Sequence, residues 1–247
     1  FILGVRFVDG RGQLVRSGGK VVKNAAGFDL PKFFVGSLGR YGILVEISFK
    51  VFPQPRSYLT LEFTYPSLAA AQTAVFRVAA QPLDIDALDF EPVETTVCRL
   101  HVRLGGLEAG LPERAARLEG ILQSERQPVP QQLLLGDYEA AYWRDVNHFA
   151  WVPPHASLLK VPLPPRSVPL LDALLPSAVR RYTAGGSVAW LAVNDVEAAR
   201  AALTDLGLSG LRIWGPGGEP FLGPRRGMVL AQRAKRALDP SGKFGEA

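Results

Sequence analysis

Between Gly18 and Phe52 the chain reads GGKVVKNAAGFDLPKFFVGSLGRYGILVEISFKVF, a stretch of small residues with the pair Lys23-Asn24 and three glycines, Gly36, Gly39 and Gly42, at intervals of three. A helix interior is a poor place for that spacing, because each glycine there costs roughly 1 kcal/mol relative to alanine. Lacking a Cβ, glycines instead let a backbone come close to a ligand, and Ser37 sets a hydroxyl between two of them. The chemistry that suits such a segment is a backbone cradle for a bound cofactor. Lys23 would supply charge and the amide of Asn24 would hold the loop. Turns and tight packing of a helix end on a strand ask for the same glycines, so from spacing alone both readings stand.

The elements around this segment must hold it. Ile2 to Val8 alternate and run into Asp9-Gly10-Arg11-Gly12, after which Gln13 to Ser17 is extended again, the pattern of a hairpin. Asp29 can cap a short helix with Pro31 in its first turn, ahead of Lys32 to Val35. Ile43, Val45, Ile47, Phe49 and Val51 then share one strand face, opposite Glu46, Ser48 and Lys50. Pro53-Gln54-Pro55 ends that strand and marks the expected domain boundary, giving domains 1–55 and 56–247.

In the second domain the pattern predicts strand Tyr58 to Phe63, a helix capped by Ser67, strands at Ile85 to Phe90 and Val97 to Leu104, helix Pro112 to Leu122 and strand Gln131 to Leu135. Helix Tyr138 to His148 follows. The order then returns with strand Ser157 to Val161, helix Val168 to Leu175, strand Ser187 to Val193, helix Val196 to Leu206 and strand Leu211 to Trp214. Two α+β halves of related build, with helices on one side of an antiparallel sheet, are expected.

Composition narrows the function classes. Of the 247 residues, 47% are apolar and 21% charged, the balance of a folded domain with a sizeable core rather than a disordered chain. The sequence shows neither a run near the roughly 20 apolar residues that span a bilayer nor a cleavable leader, so a cytoplasmic chain without membrane insertion is expected. The single Cys98 cannot form an internal disulfide and reads as a small core residue. The net charge of +5 raises nucleic acid as a partner, but the basic residues are scattered. The densest groups, Arg180-Arg181, Arg225-Arg226 and Arg233 to Arg236, are short and read as solvated surface. The chain starts at Phe1 in what looks like mid-strand, so its natural N-terminus is expected upstream.

The segment Lys23-Asn24-Ala25-Ala26-Gly27-Phe28-Asp29-Leu30, followed by Gly36-Ser37-Leu38-Gly39-Arg40-Tyr41-Gly42-Ile43-Leu44-Val45-Glu46, resembles the FAD-binding domain of the vanillyl-alcohol oxidase (PCMH) type, within it most closely the GlcE type of glycolate oxidase subunit and its paralogue, the GlcD type. Those run as G-G-x-V-V-K-N-x-A-G-Y-D-L and G-S-x-G-T-L-G-V-I-T-E. The closing Asp239-Pro240-Ser241-Gly242-Lys243-Phe244 is similar to the Asp-Pro-x-Gly-x-Phe signature of FAD-linked oxidases. The resemblance implies an α+β chain: part of a PCMH-type FAD-binding domain, then an antiparallel-sheet cap domain. It implies FAD as cofactor, held by Lys23, Asn24, Ala25, Gly27, Gly36, Ser37, Gly39, Gly42, Ile43 and Leu44. Arg40-Tyr41 and Phe28 depart from the family's Thr-Leu and Tyr, which puts polar contacts there in doubt. The family's first FAD subdomain would precede Phe1.

Oxidation of a 2-hydroxy acid needs a base or metal for the hydroxyl proton and a group for the carboxylate, besides the flavin. Catalytic relatives carry a His-x-His-x-Gly-Asp segment that is absent here. His101, His148 and His155 stand alone and read as surface or satisfied core residues, and no metal site is expected. The same absence marks the GlcE type. It implies an FAD-linked oxidoreductase subunit that binds flavin and passes electrons beside a GlcD-like catalytic subunit and an iron–sulfur subunit, with a small 2-hydroxy acid as substrate of the complex. Trp143-Arg144, Lys160, Trp190 and Trp214 are weaker candidates for a pocket; core tryptophans and surface cations account for them more simply, and none is assigned as catalytic. Two alternatives stay open: a structural or assembly subunit that keeps the fold without flavin, and an unrelated anion-binding module in which GSLGRYG holds a phosphate.

Overall fold

A computed structural model describes residues 2–20, 28–94, 97–123, 132–216 and 218–245. The chain divides into two compact units, one of Phe1–Gln54 with Arg225–Ala247 and one of Pro55–Pro224. Residues 225–247, assigned from sequence to the second domain, thus pack with the first.

The first unit is built on a three-stranded antiparallel sheet of order β2-β1-β3, with β1 Ile2–Val8, β2 Leu14–Gly18 and β3 Ile43–Phe49. Asp9 makes the hairpin by accepting from the backbone N–H of Arg11 and Gln13, both at 2.9 Å. Helix α1, Leu30–Phe33, is capped by the Asp29 carboxylate, which accepts from Lys32 N at 3.1 Å. A small core forms from Val5, Phe7, Phe34 and Tyr41, with Phe33 and Leu238 packed against it. The alternation expected for β3 is present, but its apolar face is open. Ile43, Val45 and Phe49 are more than half exposed, because β3 is the edge strand and no described residue covers it.

The second unit carries a nine-stranded antiparallel sheet. Its strands are β4 Ser57–Tyr65, β5 Ala87–Glu94, β6 Val97–Gly106, β7 Gln132–Leu135, β8 Ser157–Pro162, β9 Val179–Thr183, β10 Val188–Val193, β11 Gly210–Trp214 and β12 Phe221–Leu222. Helices α2 Leu68–Ala79 and α3 Leu111–Leu122 follow β4 and β6. Helices α5 Val168–Leu174 and α6 Val196–Asp205 follow β8 and β10. Each half is therefore a βαββαβ unit. The sheet order β12-β11-β8-β10-β9-β5-β6-β4-β7 gives both halves the strand order 4-1-3-2 and joins them between their second strands, β9 and β5. The expected repeat is thus present, with β9 as the strand the sequence pattern left out.

Alternation sorts the residues of this sheet by face. Leu59, Leu61, Phe63 and Tyr65 of β4, Leu100, Val102 and Leu104 of β6, Phe90 and Tyr182 share one core with Ala74, Val75, Leu118, Leu171 and Leu203 of the four helices. Thr60, Glu62, Asp89, Glu91, Arg99, His101, Arg103 and Arg181 point to the other face, where helix α4, Gly136–Asn147, docks through Glu139, Tyr142 and Trp143. In the first unit, the last helix, α7 Met228–Leu238, precedes the Asp239-Pro240 turn.

Candidate functional site: a glycine cradle and a polar sheet face

The cradle lies in the first unit, between α1 and β3. Gly36 and Gly39 have φ of +74° and +76°, the left-handed region that glycine enters without steric cost. Both are exposed, and a Cβ on either would meet nothing within 4 Å. Gly42 serves differently: a Cβ there would lie 2.8 Å from Val8 O and 3.0 Å from the Phe7 ring. Packing thus requires Gly42, while backbone conformation requires Gly36 and Gly39. Leu38, between them, also sits at a positive φ of +50°, which costs a non-glycine residue of order 1 kcal/mol or more and marks a backbone held for a purpose other than local stability. The Ser37 N–H donates to Phe34 O and the Arg40 N–H to Ser37 O, both at 3.1 Å. The N–H groups of Gly36, Leu38 and Gly39 have no acceptor among the described residues.

Those open amides beside a cradle without Cβ atoms fit the phosphate and ring-edge acceptors of a dinucleotide cofactor. The edge strand continues from them through Ile43, 57% exposed, and Leu44, 36% exposed. Ser37 is buried, its N–H and carbonyl both bonded within the chain. The departures at Arg40-Tyr41 are structural. Arg40 curls back to donate from Nε to Ser37 O at 2.9 Å and from Nη2 to Gly36 O at 3.3 Å, and Tyr41 is buried against Phe33 with ring centroids 4.5 Å apart. Lys23, Asn24, Ala25 and Gly27 lie outside the described residues.

The loop is anchored from the far end of the sequence. Lys235 Nζ donates to Arg40 O at 2.8 Å, to Phe244 O at 2.9 Å and to Asp239 Oδ2 at 2.6 Å. The buried Asp239 carboxylate also accepts from the backbone N–H of Lys243 at 2.9 Å and of Phe244 at 2.8 Å. Burial works against its ionisation, but Lys235 and the two amides outweigh it and hold the carboxyl at about 2. The Asp-Pro-x-Gly-x-Phe signature is thus a clasp whose carboxylate fixes the lysine that supports the cradle. Lys235 was not singled out from sequence, because its acceptors include backbone carbonyls, which no residue pattern announces.

The second unit holds a denser polar arrangement on the α4 face of its sheet. Arg181, 3% exposed at its side chain, donates to Glu91 at 3.0 Å, to Asp89 at 3.3 Å and to Tyr142 Oη at 2.9 Å. Burial opposes its charge, and Tyr142, Glu91 and Asp89 together hold it protonated. Arg103 makes a bidentate pair with the buried Glu139 at 2.7 and 3.0 Å and stacks 3.8 Å above the Tyr58 ring. Thr60 donates to Glu139 at 3.0 Å and accepts from Trp143 Nε1 at 2.8 Å. His101, 1% exposed, meets Glu62 at 2.9 Å and stacks on Tyr142, and this hydrogen bond lowers the Glu62 carboxyl.

Of the basic pair Arg180-Arg181, read from sequence as solvated surface, Arg181 is therefore buried and Arg180 half-buried. Arg180 donates to Asp172 and to the carbonyls of Leu175 and Ala178, while Arg181 points to the opposite face. Their acidic partners come from other elements, which local composition cannot reveal. His101 is a paired core residue, and His148 and His155 are exposed. Trp143 is buried and Arg144 exposed, whereas Trp214 is 41% exposed rather than a core residue. The overlooked signal was period-two polarity in Asp89/Glu91 and Arg99/His101/Arg103.

No family model matches the chain. It is 32% identical over 253 aligned positions to the glycolate oxidase subunit GlcE of Escherichia coli K12, covering 99% of this chain and 63% of that protein. It is 39% identical over 92 positions to the glycolate oxidase subunit GlcD of Bacillus subtilis 168, and 31% identical over 90 positions to a D-lactate dehydrogenase of Archaeoglobus fulgidus. Each of these shorter matches covers 36% of this chain and 20% of the relative. Among solved structures, an alkyldihydroxyacetonephosphate synthase superposes with a TM-score of 0.63 over 98% of this chain and 52% of its own, at 13% identity, a likeness of fold. The chain thus spans less than two thirds of the length of these proteins.

Proposed function

The chain is homologous along its whole length to a glycolate oxidase subunit, and from that premise we propose that it is the FAD-binding subunit of a 2-hydroxy-acid oxidoreductase complex. The observation that carries the reading is the cradle: exposed Gly36 and Gly39 at positive φ, with amides that have no acceptor among the described residues. When bound, FAD would supply an electron carrier beside the GlcD-like catalytic subunit, which carries the oxidation of the substrate carbinol. The residues that would hold it are Gly36, Ser37, Gly39, Gly42, Ile43 and Leu44, together with Lys23, Asn24, Ala25 and Gly27. The chain's own contribution is positional. Gly36 and Gly39 present donors without steric cover, Gly42 lets the loop close on β1, and Lys235 fixes the loop's exit through the Arg40 carbonyl.

The substrate class is a small 2-hydroxy acid such as glycolate, and the partners are a GlcD-like flavoprotein and an iron–sulfur subunit. The similarity to subunits of glycolate oxidase and to D-lactate dehydrogenases supports the substrate class and the GlcD-like partner, while the iron–sulfur subunit follows from the family resemblance alone. Titration of FAD into the purified chain, followed by quenching of flavin fluorescence, tests the cofactor reading. Saturable binding that Gly39→Val weakens at least tenfold is expected, and the lack of saturable binding overturns it. Co-purification with a GlcD-like subunit tests the complex.

A further inference from the structure

The α4 face of the nine-stranded sheet contains a cavity of about 300 Å³, whose lining includes Asp86, Asp89, Arg103, Arg181, Trp143 and Phe149. Two observations mark it as a built site. The Trp143 ring centroid lies 5.3 Å from the guanidinium carbon of Arg103 and 5.6 Å from that of Arg181, so one ring holds both cations at one wall. Phe149 keeps a φ of +57°, a left-handed conformation that is costly for a bulky residue. Hydrogen bonding along this wall is unbalanced. Arg103 commits Nε and one N–H of Nη2 to Glu139, and Arg181 commits Nε and one N–H of each Nη to Asp89, Glu91 and Tyr142. Of the five N–H groups on each guanidinium, three of Arg103 and two of Arg181 thus have no acceptor among the described residues. The unmet demand is for an acceptor.

Charge sets a condition on what enters. Glu139 matches Arg103, whereas Asp89 and Glu91 together exceed Arg181 by one charge. The exposed Asp86 offsets Lys160, whose ammonium lies 5.3 Å from the Trp190 ring centroid. An anion arriving alone would add to the excess, and Asp89 is the group that can relieve it. Asp89 lines the cavity, and its bond to Arg181, at 3.3 Å, is the longest of that guanidinium's three. Burial pushes its carboxyl up, against the pull of Arg181 and His101. The charged and titratable groups about it are Arg181 on β9, its cross-strand neighbour His101 and Arg103 on β6, Tyr142 and Glu139 on α4, and Asp86 and Glu91 on its own segment. We propose that this cavity takes up a small carboxylate together with one proton: the carboxylate accepts from the spare N–H groups of Arg103 and Arg181, and a protonated Asp89 donates its O–H to the same carboxylate. The proton comes from solvent, and the bond it makes, an acid O–H on a carboxylate, is of the strong charge-assisted kind. The site lies wholly in the second unit and does not depend on the flavin reading.

Three of the four tryptophans line the cavity, so intrinsic fluorescence reports its occupancy. The purified chain is titrated at constant ionic strength between pH 5 and pH 8 with glycolate, which stays ionised, and with its neutral isostere glycolamide. Glycolate is expected to saturate, with a dissociation constant that rises with pH by up to about tenfold per unit, the limit for one proton taken up. Calorimetry of the native chain at pH 7, in two buffers of different ionisation heat, should show that uptake directly. Asp89→Asn places an amide N–H where the acid O–H would be, so it should bind glycolate at pH 8 as tightly as the native chain does at pH 5, without a pH slope. Asp86→Asn, at an exposed position, should tighten glycolate about two- to fivefold, the order of one solvent-accessible charge contact. No saturable glycolate binding, binding without proton uptake, glycolamide binding as tight as that of glycolate, or a pH slope that persists in Asp89→Asn would overturn the proposal.

Discussion

Lys235 donates its ammonium to the carbonyl oxygen of Arg40 at 2.8 Å, across 195 positions of sequence. That bond joins the two signatures of the chain into one structure. The cradle residues 36–42 include, at Arg40, a carbonyl whose partner is oriented by Asp239, the first residue of the closing signature. A carboxylate inside the clasp does more than a neutral group would, because it accepts at once from an ammonium and two amides.

Asp239 therefore gives the first unit an acid-sensitive joint. Its folded carboxyl is held at about 2, below the ordinary 3.8. The charged form is favoured by folding, so its stabilisation is fully present above about pH 4 and is lost as pH falls through about 2. Asp239→Asn should lower the melting temperature at pH 7, and the gap to the native chain should close between pH 5 and about 2. A gap independent of pH in differential scanning calorimetry would show that the clasp does not work through ionisation.

Most of this architecture was legible in the chain. Strands with one polar face show themselves by period two, and Ser67 and Asp29 announce their helices because a short oxygen side chain is what an N-terminal turn needs. β9 was missed for a physical reason: Val179-Arg180-Arg181-Tyr182-Thr183 carries adjacent cations that look solvated. They turn to opposite faces, and their carboxylates stand on β5, about 90 residues upstream, and on α5. α7 was missed because none of its residues is buried, so no core stripe singles it out. In the cradle, Gly36, Gly39 and Gly42 were visible as a cluster, but their division between open conformation and close packing appears only when Val8 and Phe7 are in place.

Arg181 closes the seam between the two halves of the sheet, opposite the stacked pair Phe90 and Tyr182. Arg181→Met keeps the aliphatic volume but strands Asp89 and Glu91 beneath α4, and it should cost about 3–5 kcal/mol in urea unfolding. The triple variant with Asp89→Asn and Glu91→Gln removes the uncompensated charges and should recover part of that loss. A single-variant cost under about 1 kcal/mol would mean that the seam rests on the Phe90–Tyr182 side alone.

Cys98 should be chemically silent in the folded chain. It is 1% exposed on the core side of β6, and burial, aided by Asp172 and Glu91, pushes its thiol up to about 12. The thiolate is the reactive form, so a disulfide reagent at pH 8 should label Cys98 only as fast as the sheet opens. The labelling rate should rise with urea in step with unfolding measured by circular dichroism. Fast stoichiometric labelling in native buffer would contradict the burial.

Substitutions of the three cradle glycines should separate in stability and in flavin binding. Gly42→Ala drives a methyl group against Val8 O and the Phe7 ring, so it should destabilise the chain by about 1–3 kcal/mol and reduce flavin binding only through that loss. Gly36→Ala and Gly39→Ala meet no neighbouring atom and carry only the left-handed backbone penalty, about 1 kcal/mol each. Their new methyl groups nonetheless project from the exposed face on which a ligand would approach the open amides. If those amides hold the cofactor, flavin affinity should drop in Gly36→Ala and Gly39→Ala at denaturant midpoints close to the native value. Equal affinity in all four chains, measured by flavin fluorescence quenching beside urea melts, would assign the glycines to chain geometry rather than to binding.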